Sequence, residues 1–268
     1  MHLIGAGRVV AAIGVAVIAA ACGSSSTTTS TKAPASTPTS TPATNSSSAS
    51  ATVLAAASLT KVFPKIDPKA KYTFGGSGAL AAEIEQGAPA DVYAAASPKD
   101  PTSLFAKGLI DKPFPFATNT LVLIVPKGNP AHIASVNDIT KKGVKIVICN
   151  ATVPCGDYAR TAFKNLGITS AAMKNVVSQA TDVTQVVADV ASGAADAGFV
   201  YLTDADAAKG KVKVVRLPAQ AKPGTIDEIA IDKKAPDAST AKAFVAMVLS
   251  AKGQATLRAA GFGPAPKK

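Results

Sequence analysis

The chain has 268 residues and is 47% hydrophobic, which is enough for two modest domains with full cores. Its formal net charge of +11 is carried mainly by lysines spread singly along the chain, and only 5% of the residues are aromatic. Nucleic-acid binding relies on clustered arginines and aromatic stacking platforms, so this composition argues against a nucleic-acid partner and indicates a solvated basic surface.

The first 21 residues have the pattern of a secretory signal peptide. His2 and Arg8 precede an apolar run at residues 9–21, which is too short for a regular membrane span. The run ends in Ile-Ala-Ala-Ala-Cys, which resembles a bacterial lipobox, although Ala19 stands where a larger aliphatic residue is usual. We therefore expect a signal peptide at residues 1–21 and a lipid anchor at Cys22. The alternative is a cleaved signal that leaves Cys22 unmodified.

A low-complexity segment follows the cysteine. Residues 22–50 consist almost entirely of Ser, Thr, Ala and Pro, so they cannot bury enough apolar surface to offset the entropy of ordering. We expect a disordered tether that holds a globular domain at the outer face of the cell membrane. Cys149 and Cys155 would then be in an oxidising compartment.

The first part of the globular domain is predicted to alternate strands with short helices. In the βαβ unit at residues 73–98, a strand enters a glycine turn, a helix follows with Leu80 and Ile84 on one face, and Gly87 ends the helix before the next strand. Such a unit implies a parallel sheet covered by helices. The other elements predicted here are a strand at 53–57, a helix of at most about two turns near Pro64 and Pro68, a helix at 98–108 with Leu104 and Phe105 inward, and a strand at 121–125.

The second part repeats this alternation, which makes the fold class α/β. Four valines at helical spacing predict the clearest amphipathic helix of the chain. These are Val183, Val186, Val187 and Val190. Asp182 and Gln185 predict a capping box at the start of that helix. The remaining predicted elements are strands at 144–148, 198–201, 212–217 and 226–231 and helices at 157–166, 239–249 and 255–260.

Ser77 lies at the predicted start of a helix, where two interpretations compete. A hydroxyl and free N–H groups at a helix N-terminus can bind an anion, because the unpaired donors and the helix dipole both favour negative charge. The alternative is that the Ser77 side chain only caps its helix.

Catalysis is not expected from these residues. The run Gly-Gly-Ser-Gly-Ala at residues 75–79 lacks the G-x-S-x-G spacing of a nucleophile elbow, and His132 is the only histidine left as a base once the signal is removed. The sequence also lacks zinc-binding and phosphate-cradling motifs. We expect a protein that is not an enzyme and has no direct metal ligands; the alternative is a degenerate serine hydrolase.

Several runs, in a fixed order, resemble the extracytoplasmic molybdate-binding proteins of ABC importers. They are AAASLT at residues 55–60, GGSGALAAEIEQGAPADVYAAAS at 75–97, VPCGDYA at 153–159, the pair Val200-Tyr201, and the ending FVAMVLSAKGQATLRAAGFGPA at 244–265. The resemblance implies a two-lobed type II periplasmic (solute) binding protein fold. Lobe I would comprise residues 51–124 plus 219–268, lobe II would comprise residues 125–218, and two crossing strands would join them.

The resemblance also implies a ligand site in the cleft between the lobes. Ser58 and Ser77 match the two hydroxyl donors of lobe I. In lobe II, Cys155 and Val183 match residues that donate a backbone N–H, and Tyr201 matches a phenol donor. Read without the resemblance, Val183 and Tyr201 would be ordinary core residues.

The implied ligand is molybdate or tungstate, with sulfate or another oxyanion as the alternative. No cofactor is implied. The implied partner is an ABC transporter permease, which would receive the ligand from a monomeric binding protein after the lobes close.

Three departures from the family pattern concern the site. The segment between Ser58 and Phe74 is shorter than usual, which truncates the first helix. Gly78 stands where a further hydroxyl is common, and Cys155 replaces a more usual alanine. Cys149 and Cys155 lie six residues apart, on either side of the turn at residues 150–156, and both are expected outside the cytoplasm. We therefore expect a disulfide between them.

Overall fold

The structure is a computed structural model that describes residues 50–222 and 224–266. The expected signal peptide, the lipidated Cys22 and the tether up to residue 49 lie outside these ranges. None of the helices in the described ranges is both long and apolar enough to span a bilayer.

Ten strands and nine α-helices are found in the described residues. The strands are β1 (Thr52–Ala56), β2 (Lys71–Gly75), β3 (Val92–Ala95), β4 (Phe114–Pro126), β5 (Ile146–Cys149), β6 (Val176–Ala180), β7 (Ala197–Tyr201), β8 (Val212–Val215), β9 (Gly224–Ile231) and β10 (Gly263–Pro264). The helices are α1 (Phe63–Ile66), α2 (Ser77–Glu85), α3 (Lys99–Ala106), α4 (Pro154–Asn165), α5 (Thr169–Lys174), α6 (Val183–Ser192), α7 (Leu202–Ala207), α8 (Ala238–Leu249) and α9 (Ala251–Ala259).

The long strand β4 links the two halves of the structure. Its residues 114–120 pair antiparallel with β9, while its residues 121–126 pair antiparallel with β7 and β8. We call β1, β2, β3, β9, β10 and residues 114–120 the first sheet half. The second sheet half comprises β5 to β8 and residues 121–126. The path through both halves is β2-β1-β3-β9-β4-β7-β5-β6.

Each sheet half contains parallel strands, as the alternation of strands and helices predicts. In the first, β1 lies parallel to both β2 and β3. In the second, β5 lies parallel to both β6 and β7. The carboxyl ends of the parallel strands in each half therefore share one edge, which is where ligands bind in open α/β sheets.

Apolar side chains from the helices cover these strands. The largest hydrophobic cluster is continuous across both sheet halves, and a smaller cluster lies under α2 and α3, with Leu80, Ile84 and Leu104 among its members. Edge-to-face aromatic pairs fill both halves: Phe63 with Phe244 at 5.5 Å between ring centroids, and Phe163 with Phe199 at 5.1 Å.

The amphipathic helix predicted from the four valines is α6. Val183, Val186 and Val190 are buried, and Gly193 ends the helix in the left-handed conformation that glycine favours. The predicted capping box forms only in part, because Asp182 accepts from the N–H groups of Thr184 and Gln185, while the Gln185 side chain donates to Asp189.

Several sequence expectations need correction. Phe105 was expected to point inward, but its side chain is exposed at 46%, since only Leu104 of this pair faces the sheet. The strand expected at residues 121–125 is the second part of the longer β4. The elements that the sequence analysis did not predict include β6, α5 and α7.

Candidate functional site

Ser58 and Ser77 lie just beyond the carboxyl ends of adjacent parallel strands. The register of the two strands ends with Ala56 paired to Gly75, and Ser58 and Ser77 each follow that last pair by two residues. Ser58 lies in the 3₁₀ turn Ala57–Leu59, and Ser77 begins α2. Both are buried, with exposed fractions of 8% and 1%. Local strand geometry thus brings together two hydroxyls that the sequence separates.

Ser77 does not cap its helix. The N-cap residue is Gly76, and no side-chain capping hydrogen bond is present. Instead the Ser77 Oγ accepts from the Ala96 N–H at 3.1 Å, and the Ser77 carbonyl accepts from the Tyr93 hydroxyl at 2.8 Å. Since this arrangement uses the Ser77 oxygen as an acceptor, the hydroxyl proton is left to donate toward an anion.

Four buried hydroxyls lack any hydrogen-bond partner among the described residues, namely those of Ser58, Ser97, Tyr201 and Thr225. Two of them belong to residues expected at the ligand site, Ser58 and Tyr201, which are only 8% and 2% exposed. A buried hydroxyl without a partner costs about 1–3 kcal/mol. Each of these groups would therefore gain from an acceptor placed in the cleft.

The Tyr201 phenol is held in its donor form. Burial raises the pKa of Tyr201 well above its usual range, and the neighbouring carboxyl of Asp227 adds to this. At neutral pH the phenol is protonated and can donate to an oxyanion.

Cys155 and Val183 each occupy the first turn of a helix, where N–H groups have no intrahelical acceptor. Asp182 takes up the N–H groups of Thr184 and Gln185, while the Val183 N–H has no acceptor among the described residues. The Val183 side chain packs in the core, while its backbone N–H is left to donate to a ligand.

The predicted disulfide between Cys149 and Cys155 is confirmed, with 5.7 Å between the Cα atoms. It connects the end of β5 to the first turn of α4. Arg160 reinforces the same turn, because its guanidinium donates to the carbonyls of Cys149 and Gly156 at 3.0 and 2.9 Å. The loop-entropy model assigns about 2 kcal/mol to so short a disulfide loop.

Two glycines at the start of α2 contact the loops that precede α4 and α6; Gly76 is the N-cap residue and Gly78 lies in the first turn. A Cβ added to Gly76 would lie 2.5 Å from the Thr181 carbonyl oxygen, and one added to Gly78 would lie 2.1 Å from the Thr152 carbonyl oxygen. The two sheet halves therefore meet backbone to backbone at this point. This contact brings the start of α2, with Ser77, next to the first turns of α4 and α6.

A cavity of about 740 Å³ adjoins Ser58, with Thr184 and Thr203 also in its walls. Four basic side chains line it as well, together with two acidic ones; they are Lys61, Lys65, Lys211 and Arg258, with Asp204 and Asp206. The excess of basic groups favours the approach of an anion from solvent.

Asp227 is a buried carboxyl that the sequence analysis did not single out. It pairs with Ala117 and Tyr201 pairs with Leu121 along β4, which puts both side chains on one face of the sheet. Its two oxygens lack partners among the described residues, and burial raises its pKa well above the usual range.

Comparison with known proteins identifies the family. Residues 51–263 match the family model described as bacterial extracellular solute-binding protein. The chain belongs to this family. It is 38% identical over 218 residues to the molybdate-binding protein ModA of Mycobacterium tuberculosis, covering 78% of this chain and 82% of that protein. It is 32% identical over 177 residues to ModA of Escherichia coli, covering 60% and 68%.

A solved structure supports the same assignment. The periplasmic molybdate-binding protein of Azotobacter vinelandii superposes with a TM-score of 0.69 at 26% identity, over 81% of this chain and all (100%) of that one. The two-lobed solute-binding fold expected from the sequence is thereby confirmed. The relatives are solute-binding proteins, which confirms that the chain is not an enzyme. The lobe limits at residues 124/125 and 218/219 stay a prediction.

Proposed function

We propose that this protein binds molybdate in the cleft between its lobes. The observation that carries the proposal is that the Ser58 and Tyr201 hydroxyls, two of the expected donors, are buried without a hydrogen-bond partner among the described residues. The 38% identity to proteins named for molybdate binding supports this ligand. The proposed donors are the side chains of Ser58, Ser77 and Tyr201 and the backbone N–H groups of Cys155 and Val183.

All five proposed donors are neutral, which suits a fully ionised tetrahedral oxyanion. Oriented O–H and N–H dipoles stabilise negative charge without a countercharge, and the helix N-termini at Cys155 and Val183 add their own dipoles. Donors at fixed positions then select among anions by size. Tungstate, which is close to molybdate in size and charge, is proposed to bind as well, whereas the smaller sulfate leaves donors unmet.

The transport role is proposed to follow from the same cleft. Lobe closure removes water from the ligand and completes the donor shell, and the closed monomer delivers molybdate to an ABC transporter permease. The signal peptide at residues 1–21 would direct export and then be removed. The acylated Cys22 and the tether at residues 22–50 would keep the binding domain near that permease at the outer face of the cell membrane.

Calorimetric titration tests the ligand assignment. The purified protein is titrated with molybdate, tungstate, sulfate and phosphate at the same pH and ionic strength. We expect tight, equimolar binding of molybdate and tungstate and much weaker binding of sulfate and phosphate. Sulfate affinity equal to or greater than molybdate affinity would overturn the assignment.

A further inference from the structure

We infer that Ser97 is a third hydroxyl donor of lobe I to the bound oxyanion, completing a row with Ser77 and Ser58. This inference rests on the proposed function. Ser97 follows β3, as Ser58 follows β1 and Ser77 follows β2. The order β2-β1-β3 makes Ser58 the central member of the row.

The three serines stand at the same distance in sequence beyond three neighbouring strands. β1, β2 and β3 end at Ala56, Gly75 and Ala95, and a serine follows two residues after each end. Because β1 lies parallel to both β2 and β3, these strand ends share one edge of the sheet. Neighbouring strands lie about 4.8 Å apart, so hydroxyls that follow them can reach different oxygens of one tetrahedral anion. The hydrogen bond from the Ala96 N–H to Ser77 Oγ fixes the segment before Ser97 against α2.

The Ser97 hydroxyl has no structural task that would explain its burial. Ser97 is only 5% exposed, and its Oγ has no hydrogen-bond partner among the described residues. It precedes α3, yet the N-cap of that helix is Pro98 and no side-chain capping hydrogen bond is present. A ligand oxygen would give this buried donor the hydrogen-bond partner that the described residues do not supply.

An ion pair places the Ser97 segment opposite the donors of the second sheet half. Lys99 Nζ lies 3.8 Å from an Asp157 carboxylate oxygen. Lys99 is two residues beyond Ser97, and Asp157 is two residues beyond Cys155 in the first turn of α4. The pair therefore links the start of α3, which follows Ser97, to the first turn of α4, which contains Cys155.

The test compares Ser97→Ala, Ser77→Ala and the matched control Ser103→Ala, which removes an exposed hydroxyl from α3. Each variant and the parent protein are titrated with molybdate and melted with and without it. We expect Ser97→Ala to weaken molybdate binding about tenfold to a hundredfold, since it removes one hydrogen bond to a charged group. Without ligand its melting temperature should be unchanged or slightly higher, because the lost hydroxyl was unpaired. Ser103→Ala should match the parent.

The outcomes separate the inference from the function on which it rests. Unchanged affinity in Ser97→Ala, with Ser77→Ala weakened, overturns the role of Ser97 and leaves the molybdate site standing. A parent protein that does not bind molybdate overturns both. If Ser97→Ala does not fold, Ser97→Cys, which keeps the side-chain size but donates weakly, is titrated with the same expected loss and the same contradicting result.

Discussion

The two serines proposed in lobe I differ in what they do for the protein without ligand. The Ser58 hydroxyl has no partner in the described chain, whereas the Ser77 hydroxyl accepts from the buried Ala96 N–H. Ser58→Ala should therefore weaken molybdate binding about tenfold to a hundredfold with no loss of stability. Ser77→Ala should weaken binding to a similar extent and also cost about 1–3 kcal/mol, because it leaves an N–H unpaired.

The measurement for this pair combines titration with melting of the ligand-free proteins. A melting temperature lowered equally in both variants would contradict the structural distinction between them. If either variant has a lowered melting temperature but unchanged molybdate affinity, the serine it replaces has only a structural role.

Asp204 gives stability a pH dependence that can be measured. Burial raises the pKa of Asp204 from 3.8 to about 7, although its carboxylate accepts from the Tyr201 N–H at 3.0 Å. The folded state therefore holds this proton more tightly than the unfolded state. The resulting stabilisation is present at low pH and is lost as pH rises from about 4 to about 7. Its upper limit is on the order of 4 kcal/mol, and residual solvent contact reduces it.

We expect the melting temperature of the parent protein to fall between pH 5 and pH 8, by about 2–4 °C for each kcal/mol lost. Asp204→Asn keeps an oxygen acceptor for the Tyr201 N–H but cannot ionise, so its melting temperature should fall less over the same range. A slope equal to that of the parent would show that Asp204 does not titrate in this window.

The first turn of α2 packs so closely against the loop before α4 that residue 78 has no room for a side chain. This explains why Gly78 stands where a hydroxyl residue is common in the family. A Cβ at Gly78 would lie 2.1 Å from the Thr152 carbonyl oxygen. Gly78→Ala should therefore hinder the contact between the first turn of α2 and the loop before α4, and lower molybdate affinity by at least about tenfold.

Gly128→Ala is the matched control, since a Cβ there meets no atom within 4 Å. The two variants are compared by titration and by unfolding in urea. Equal molybdate affinity in Gly78→Ala and Gly128→Ala would show that the Gly78 contact is not needed for binding.

The sequence predicts an element well where its own periodicity is strong. The valines of α6 and the apolar runs that become β1 and β5 are visible without tertiary information. β6 was missed because its burial is confined to its ends, so Ser178 and Gln179 show no apolar alternation. α7 was missed because a six-residue helix with two aspartates carries little helical signal.

The site is less predictable from local sequence than the elements. Ser58 and Ser77 were found because each follows a strand at a helix start, with family resemblance to support them. Ser97 has the same placement but stands in an alanine run before Pro98, where it looks like an ordinary strand end. The contact between Gly78 and Thr152 joins residues far apart in the chain, so only the folded backbone reveals it.

For the whole molecule, the anchor is a separate prediction from the binding site. If Cys22 is acylated, a Cys22→Ala variant expressed in the native host should appear in the soluble extracytoplasmic fraction, and mass spectrometry should find no lipid on it. The parent protein should remain with the membrane. Unchanged membrane association and processing of the variant would refute the lipid anchor and favour another means of attachment.

The proposed function requires that molybdate binds among donors supplied by both lobes. Crystals grown with molybdate and measured at the molybdenum absorption edge locate the metal atom directly. We expect one strong anomalous peak per chain, enclosed by Ser58, Ser77, Cys155, Val183 and Tyr201, with their donor atoms about 2.7–3.1 Å from the molybdate oxygens. A peak at another place on the molecule, or no ordered molybdenum in protein saturated with molybdate, would contradict it.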